Sequence, residues 1–221
     1  MIRDARWMAW HDAIRDLTQQ HAKAAMLQTE LEPRNVAGEA RPNARPADLM
    51  VKGDSNSHGC KETGTRNLLI DFTVVSSTLP IYRRAAAGSA ARAAAQAADL
   101  KRFKALPHVT EADYFLPIPT LADGTLCADH KALVKFWAKR WADVTGQEPR
   151  DAARLYARWQ DDLAILNARM LARCLLHRAA ASRAQCAERA GMECAPPMPP
   201  TQGETDLYHV TLTTTTAGRG H

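Results

Sequence analysis

No C-x-x-C pair occurs anywhere in the sequence, and its five cysteines (Cys60, Cys127, Cys174, Cys186 and Cys194) are odd in number. Neither a disulfide framework nor a cysteine-rich zinc site is expected from such a set, and a reducing, intracellular compartment fits it best. His58 and Cys60 stand close together, but two potential ligands do not make a metal site, and a solvated loop is the simpler reading. The opening, MIRDARWMAWHDAIRD, lacks the apolar stretch of a secretory signal. No apolar run approaches membrane-spanning length, so no membrane partner is expected. Charge bias is weak: net +5 over 221 residues is compatible with a nucleic-acid partner without requiring one.

What the sequence does have is enough apolar material for a core, 46% of its residues. Trp7, Trp10, Ile14, Leu17, His21 and Ala24 recur at helical spacing, which predicts an amphipathic first helix. Met26 to Glu32 (MLQTELE) alternates apolar and polar residues and is expected to be a strand closed by Pro33; Ala47 to Val51 is expected to be a second. The glycine-rich and polar stretch from Lys52 to Arg66 reads as a loop. Leu68 to Ser76 (LLIDFTVVS) is the strongest strand signal, a nearly unbroken apolar run of the kind buried on both faces. An alanine-rich helix is expected to follow to Leu106, then a strand over Asp113 to Thr120 whose two prolines suit an edge or a strand end.

The predicted order is α/β, αβββαβ, over residues 1–125. A helical extension follows over 126–190, with apolar stripes at Leu133, Phe136, Trp137 and Trp141 and at Leu155, Trp159, Leu163, Leu166 and Met170. The proline- and threonine-rich remainder, 191–221, is expected to be disordered.

One residue in the central strand calls for chemistry. A carboxylate in the middle of a buried strand is costly to desolvate, by several kcal/mol at order of magnitude, and should have a cation, hydrogen bonds or a cleft beside it. Asp71 is that residue, and Asp48 lies at the start of the preceding strand. On antiparallel neighbours both can point to one spot, where two carboxylates repel unless a divalent cation lies between them. Oxygen-only ligands favour Mg²⁺ or Mn²⁺. Glu32, at the end of the first strand, is a candidate third acid. A lysine would complete such a site by orienting water and offsetting charge on phosphorus. Thr73, two residues after Asp71, cannot do this; Lys101 and Lys104 in the late helix are the available substitutes.

RPAD (Arg45 to Asp48), IDFTVVS (Ile70 to Ser76) and the alanine-rich helix with its K-x-x-K (Lys101, Lys104) together resemble the PD-(D/E)XK superfamily of restriction-endonuclease-like folds. More narrowly, they resemble the endonuclease region at the C-terminal end of reverse transcriptases from non-LTR retrotransposons. HDAIRDLTQQHAKAAMLQTELEP is similar to that region's entry helix and first strand, FLPIPTLADGTL to its fourth strand, and DLAILNARMLARCLLHRA to its helical ending.

The resemblance implies a Mg²⁺- or Mn²⁺-dependent DNA endonuclease with Asp48 and Asp71 as metal-binding acids and Lys101 as the relocated lysine. Lys104 and His11 would contact DNA, His11 and Asp12 matching the entry-helix motif. It also implies RNA or a reverse-transcriptase module as further partners in a parent element, and a nuclear location. Trp10 departs from the arginine usual at its position, and Ala105 from an aromatic residue. A catalytically inactive DNA-binding relic of the same fold and an all-helical interaction protein are the competing readings. For the remaining histidines, a satisfied core or surface role is the simpler expectation for His21, and His108 and His130 have no partner that the sequence names.

Overall fold

A computed structural model describes residues 5–33, 47–53, 66–76, 79–105, 107, 109–110, 113–122 and 125–189. His58, Cys60, most of the loop expected at 52–66, His108 and the tail expected from 191 lie outside the described residues.

The first helix, α1 (Ala5–Ala24), buries Trp10, Ile14, Thr18, His21 and Ala22 along one line. This is the expected stripe, with Thr18 rather than Leu17 pointing most deeply inward and Ala24 exposed. The helix ends in a Schellman motif built without glycine. Met26 takes a left-handed φ of 59°, its N–H donates to the Lys23 carbonyl at 3.0 Å, and Leu27 N–H donates to the Ala22 carbonyl at 3.1 Å. Holding a non-glycine residue there costs about 1–2 kcal/mol. The motif also takes up the first residues of the expected strand, so β1 is only Thr29–Leu31.

β2 (Leu49–Val51) and β3 (Asn67–Val75) follow, then α2 (Pro80–Gly88), α3 (Ala90–Ala105) and β4 (Asp113–Leu121). The alanine-rich segment is thus two helices, where one was expected. Ser89 is fully extended and caps α3, its hydroxyl accepting from Arg92 N–H at 3.2 Å. Pro80 stands in the first turn of α2, where its missing N–H is not needed.

The sheet is mixed, in order β1-β2-β3-β4, with the β1–β2 and β2–β3 pairs antiparallel and the β3–β4 pair parallel. β4 is an edge, as its prolines suggested. Pro117 and Pro119 are two apart and so share the outer side, where Leu121 N–H also points, to the Thr125 carbonyl at 3.2 Å. Ala122 N–H turns the other way, to the Val75 carbonyl at 2.8 Å.

β3 is covered on both faces, which is why its sequence is almost continuously apolar. Leu68, Ile70 and Phe72 join Trp10, Ile14, Leu133, Trp137, Trp159 and Leu163 in the main core. On the opposite face, Leu69 packs with Ala47 and Met50, and Val75 with Ala93, Ala94 and Ala97 of α3. Asp71 lies on that second face by the alternation of the strand.

The last helices, α4 (Ala128–Thr145) and α5 (Pro149–Arg189), carry the expected stripes, and their Leu133, Trp137, Trp159, Leu163 and Met170 belong to the same core as the sheet. No break in packing falls near residue 125; the compact unit runs Met1–Leu176, and the described residues after it are helical. Trp10 shows what this shared core requires of α1. It is fully buried, stacks on Trp7 with ring centroids 5.7 Å apart, and donates from Nε1 to Asn167 Oδ1 at 2.9 Å. An arginine at that position would bury a charge with the neutral Asn167 amide as its partner rather than a carboxylate. Among the described residues no helix is long and apolar enough to cross a membrane.

Candidate active site

β2 begins only at Leu49, leaving the Phe72 N–H of β3 without a ladder partner. Asp48 fills the gap: its N–H donates to the Ile70 carbonyl at 2.9 Å and its Oδ2 accepts from Phe72 N–H at 2.7 Å. The same Oδ2 lies 2.9 Å from His11 Nε2. Asp48 is therefore held by the sheet on one side and by α1 on the other.

Asp71 faces Asp48 closely enough for the two carboxyl groups to share a hydrogen bond. Across the gap from α3, Lys101 Nζ lies 2.7 Å from Asp71 Oδ2, with Asp71 only 13% exposed. Lys101 reaches it because it continues the inward stripe of small residues, Ala94, Ala97 and Ala98, whose bare methyls hold the helix close to the sheet. Lys104 is exposed on α3.

Electrostatics divide the two acids. Burial raises the Asp48 pKa, but hydrogen bonding and charge from His11, then the Phe72 N–H and Asp71, bring it below the ordinary carboxylate value. Burial pushes Asp71 up to about 6; the Lys101 ammonium opposes that rise and the Asp48 charge adds to it. At neutral pH both are ionised, with the Lys101 ammonium beside Asp71 and the His11 ring beside Asp48. Hydrogen bonds to Asp48 and Asp12 raise the His11 pKa against its burial.

No protein-family model matches the chain, and no curated protein matches it either. The reading of the site therefore stands on its geometry and on the residue pattern.

That geometry brings together Asp48, Asp71 and Lys101. It does not gather Glu32 with them as a third acid. The Glu32 N–H donates to the Asp48 carbonyl at 2.8 Å, while its carboxylate lies 3.4 Å from Arg15 Nη1. Among the described residues no group of three or more His, Cys, Asp and Glu side chains is arranged to hold a metal. Two carboxylates are nevertheless a donor set suited to Mg²⁺ or Mn²⁺, which take one or two protein carboxylates and complete their shell with water and substrate oxygens. Sulfur and neutral imidazole, which would favour softer metals, are not offered by the pair.

Two contacts went unread in the sequence. One is the bond of His11, expected only at the DNA, to Asp48, which joins α1 to the residue just before β2. The other is a buried pair, His21 and His130. His130 is fully buried with Nε2 3.2 Å from Thr18 Oγ1, whose proton goes to the Ile14 carbonyl at 2.8 Å, so the imidazole is the donor. His21 stacks on Trp159 at 4.7 Å with neither ring nitrogen hydrogen-bonded. Their spacing along α1 and α4 marks them as inward, but nothing in it pairs one with the other.

Proposed function

We propose that this chain is a metal-dependent DNA endonuclease domain of the PD-(D/E)XK type, hydrolysing a phosphodiester bond. The observation that carries the reading is the meeting of Asp48, Asp71 and Lys101 at one end of the β2–β3 pair. The resemblance to the endonuclease region of non-LTR retrotransposon reverse transcriptases supports DNA as substrate. It also supports RNA or a reverse-transcriptase module as partners in a parent element, and a nuclear location.

Asp48 and Asp71 would hold Mg²⁺ or Mn²⁺. When bound, such an ion supplies an acidified water and a Lewis-acidic contact to a phosphoryl oxygen. Lys101, 2.7 Å from Asp71 Oδ2, would donate a hydrogen bond to the attacking water and offset charge gathering on the phosphate oxygens. Its contact with Asp71 favours catalysis over a purely binding relic, because a lysine left on the solvent face would have no such role. Lys104, exposed on the same helix, suits a point-charge contact to the DNA backbone. Metal-dependent nicking of supercoiled plasmid tests the reading; a folded protein that nicks with neither Mg²⁺ nor Mn²⁺ would refute it.

A further inference from the structure

His11 is locked at both ring nitrogens, Nε2 at 2.9 Å from Asp48 Oδ2 and Nδ1 at 3.1 Å from Asp12 Oδ1. Turning the ring would break both contacts. Asp12 Oδ1 also lies 3.2 Å from Arg15 Nη1, and the same Nη1 lies 3.4 Å from Glu32 Oε1. Glu32 returns to the start, its N–H on the Asp48 carbonyl at 2.8 Å. The contacts thus form a closed ring, Asp48–His11–Asp12–Arg15–Glu32–Asp48, which grips Asp48 by its carboxylate and by its backbone. Arg15, 14% exposed and also 2.8 Å from Asp16 Oδ1, is the clamp at its far side. His11 and the Phe72 N–H both meet the Asp48 carboxylate at Oδ2 and not at Oδ1, beside the hydrogen bond that it shares with the Asp71 carboxyl.

We infer that His11 is a positioning residue: it holds Asp48 by Oδ2 so that Oδ1 is the oxygen presented to a divalent cation. Glu32 serves in this ring through its backbone and its ion pair with Arg15 rather than as a third ligand. The inference rests on the nuclease reading above. A carboxylate free to rotate spreads its oxygens over several directions and loses that orientation each time an ion binds. One tied at a single oxygen by two donors is already arranged, and outer contacts of this kind typically change metal affinity about 10–100-fold when removed.

The test measures Mn²⁺ binding to the full chain by electron paramagnetic resonance without DNA, beside the nicking rate as a function of Mn²⁺ concentration. His11→Phe keeps a flat ring but no donor and should weaken Mn²⁺ binding by about tenfold or more, with the Mn²⁺ dependence of nicking shifted to match. His11→Gln, which restores one N–H toward Asp48, should recover most of the loss. Asp12→Ala, at a half-exposed surface position, releases His11 Nδ1 and one contact of Arg15 while leaving the Nε2–Asp48 bond, and should weaken binding by a few-fold; it serves as the readout if His11→Phe fails to fold. Unchanged Mn²⁺ affinity in a folded His11→Phe protein, or in Asp12→Ala where that variant stands in, overturns the inference. Tighter binding overturns it too, since His11 would then be a competing charge rather than a support. In either case nicking by the wild type leaves the nuclease reading standing. Wild type that neither binds Mn²⁺ nor nicks overturns both.

Discussion

The Lys101 ammonium lies 2.7 Å from Asp71 Oδ2, joining α3 to the middle of the central strand. The contact matches a charge with a partner that burial alone would leave costly to ionise. It also places the lysine's N–H groups beside the carboxylate pair. Replacing Lys101 with Ala should lower the nicking rate by about 10²–10³-fold or more, the scale of losing a transition-state donor. DNA binding should stay within about twofold, because one ammonium turned inward contributes little to backbone contacts. Gel-shift and single-turnover nicking measurements check the two expectations separately. Equal nicking by wild type and variant would remove Lys101 from the chemistry.

Lys104 tests the opposite behaviour. As an exposed point charge on the same helix, its loss should weaken DNA binding alike for all sequences. It should also reduce the slope of log affinity against log salt by about 0.9, the value for one phosphate contact. The rate from the bound complex should be unchanged. A salt slope identical to wild type would place Lys104 away from the DNA.

These two lysines also show how much of the site was legible in the sequence. Both belong to one K-x-x-K, and Lys101 lies at the centre of the face that carries the buried alanines at 93, 94, 97, 98 and 105, while Lys104, about 60° round the axis, is exposed only as the folded chain places it. Asp71 was legible as a carboxylate inside an apolar strand. Strand existence and type followed from residue pattern, but the ends did not: β1 was shortened by a Schellman turn at Met26 that carries no glycine, and the alanine-rich helix was broken at Ser89 by a cap rather than by proline. The Asp48–His11 bond and the return of Glu32 to Arg15 join distant segments. Only the folded chain brings them together, so the third-acid expectation for Glu32 had no local signal to correct it.

Asp71 sets a pH dependence for metal binding. Its folded-state pKa, about 6, lies above the ordinary aspartate value of 3.8, so below about pH 6 the folded protein holds a proton there that a cation must displace. Mn²⁺ affinity should therefore be level above pH 6 and fall by about tenfold per pH unit below it. The sign for stability is the reverse: a raised pKa contributes stability at low pH, lost as pH rises through 6. Calorimetric Mn²⁺ titrations between pH 5 and pH 7.5 provide the check. An affinity unchanged across that window would mean that Asp71 does not bind the ion.

Stability in acid should be governed by the buried histidines. Burial, aided by the neighbouring His130 charge, lowers the His21 pKa to about 3, and burial alone lowers that of His130 to about 4. Both folded values lie below the ordinary histidine value of 6.5, so the unfolded chain binds more protons as pH falls below 6.5 and stability declines toward pH 4. Each histidine costs about 2 kcal/mol at pH 5 by this linkage. His21→Phe keeps the stacking on Trp159 and removes the titration, and should make the protein more stable than wild type at pH 5 by at least that amount. Urea unfolding at pH 5 and pH 7.5 measures it. An equal pH slope in the variant would show that His21 is not held neutral.

Nicking of supercoiled plasmid by the wild type and by Asp71→Ala, each with Mg²⁺, with Mn²⁺ and with chelator, bears most directly on whether the cluster is an active site. The wild type should convert supercoiled to relaxed circles with either ion and stop on chelation, and Asp71→Ala should leave the plasmid intact while still folded. Relaxation by Asp71→Ala at the wild-type rate, or none by the folded wild type with either metal, would contradict the assignment.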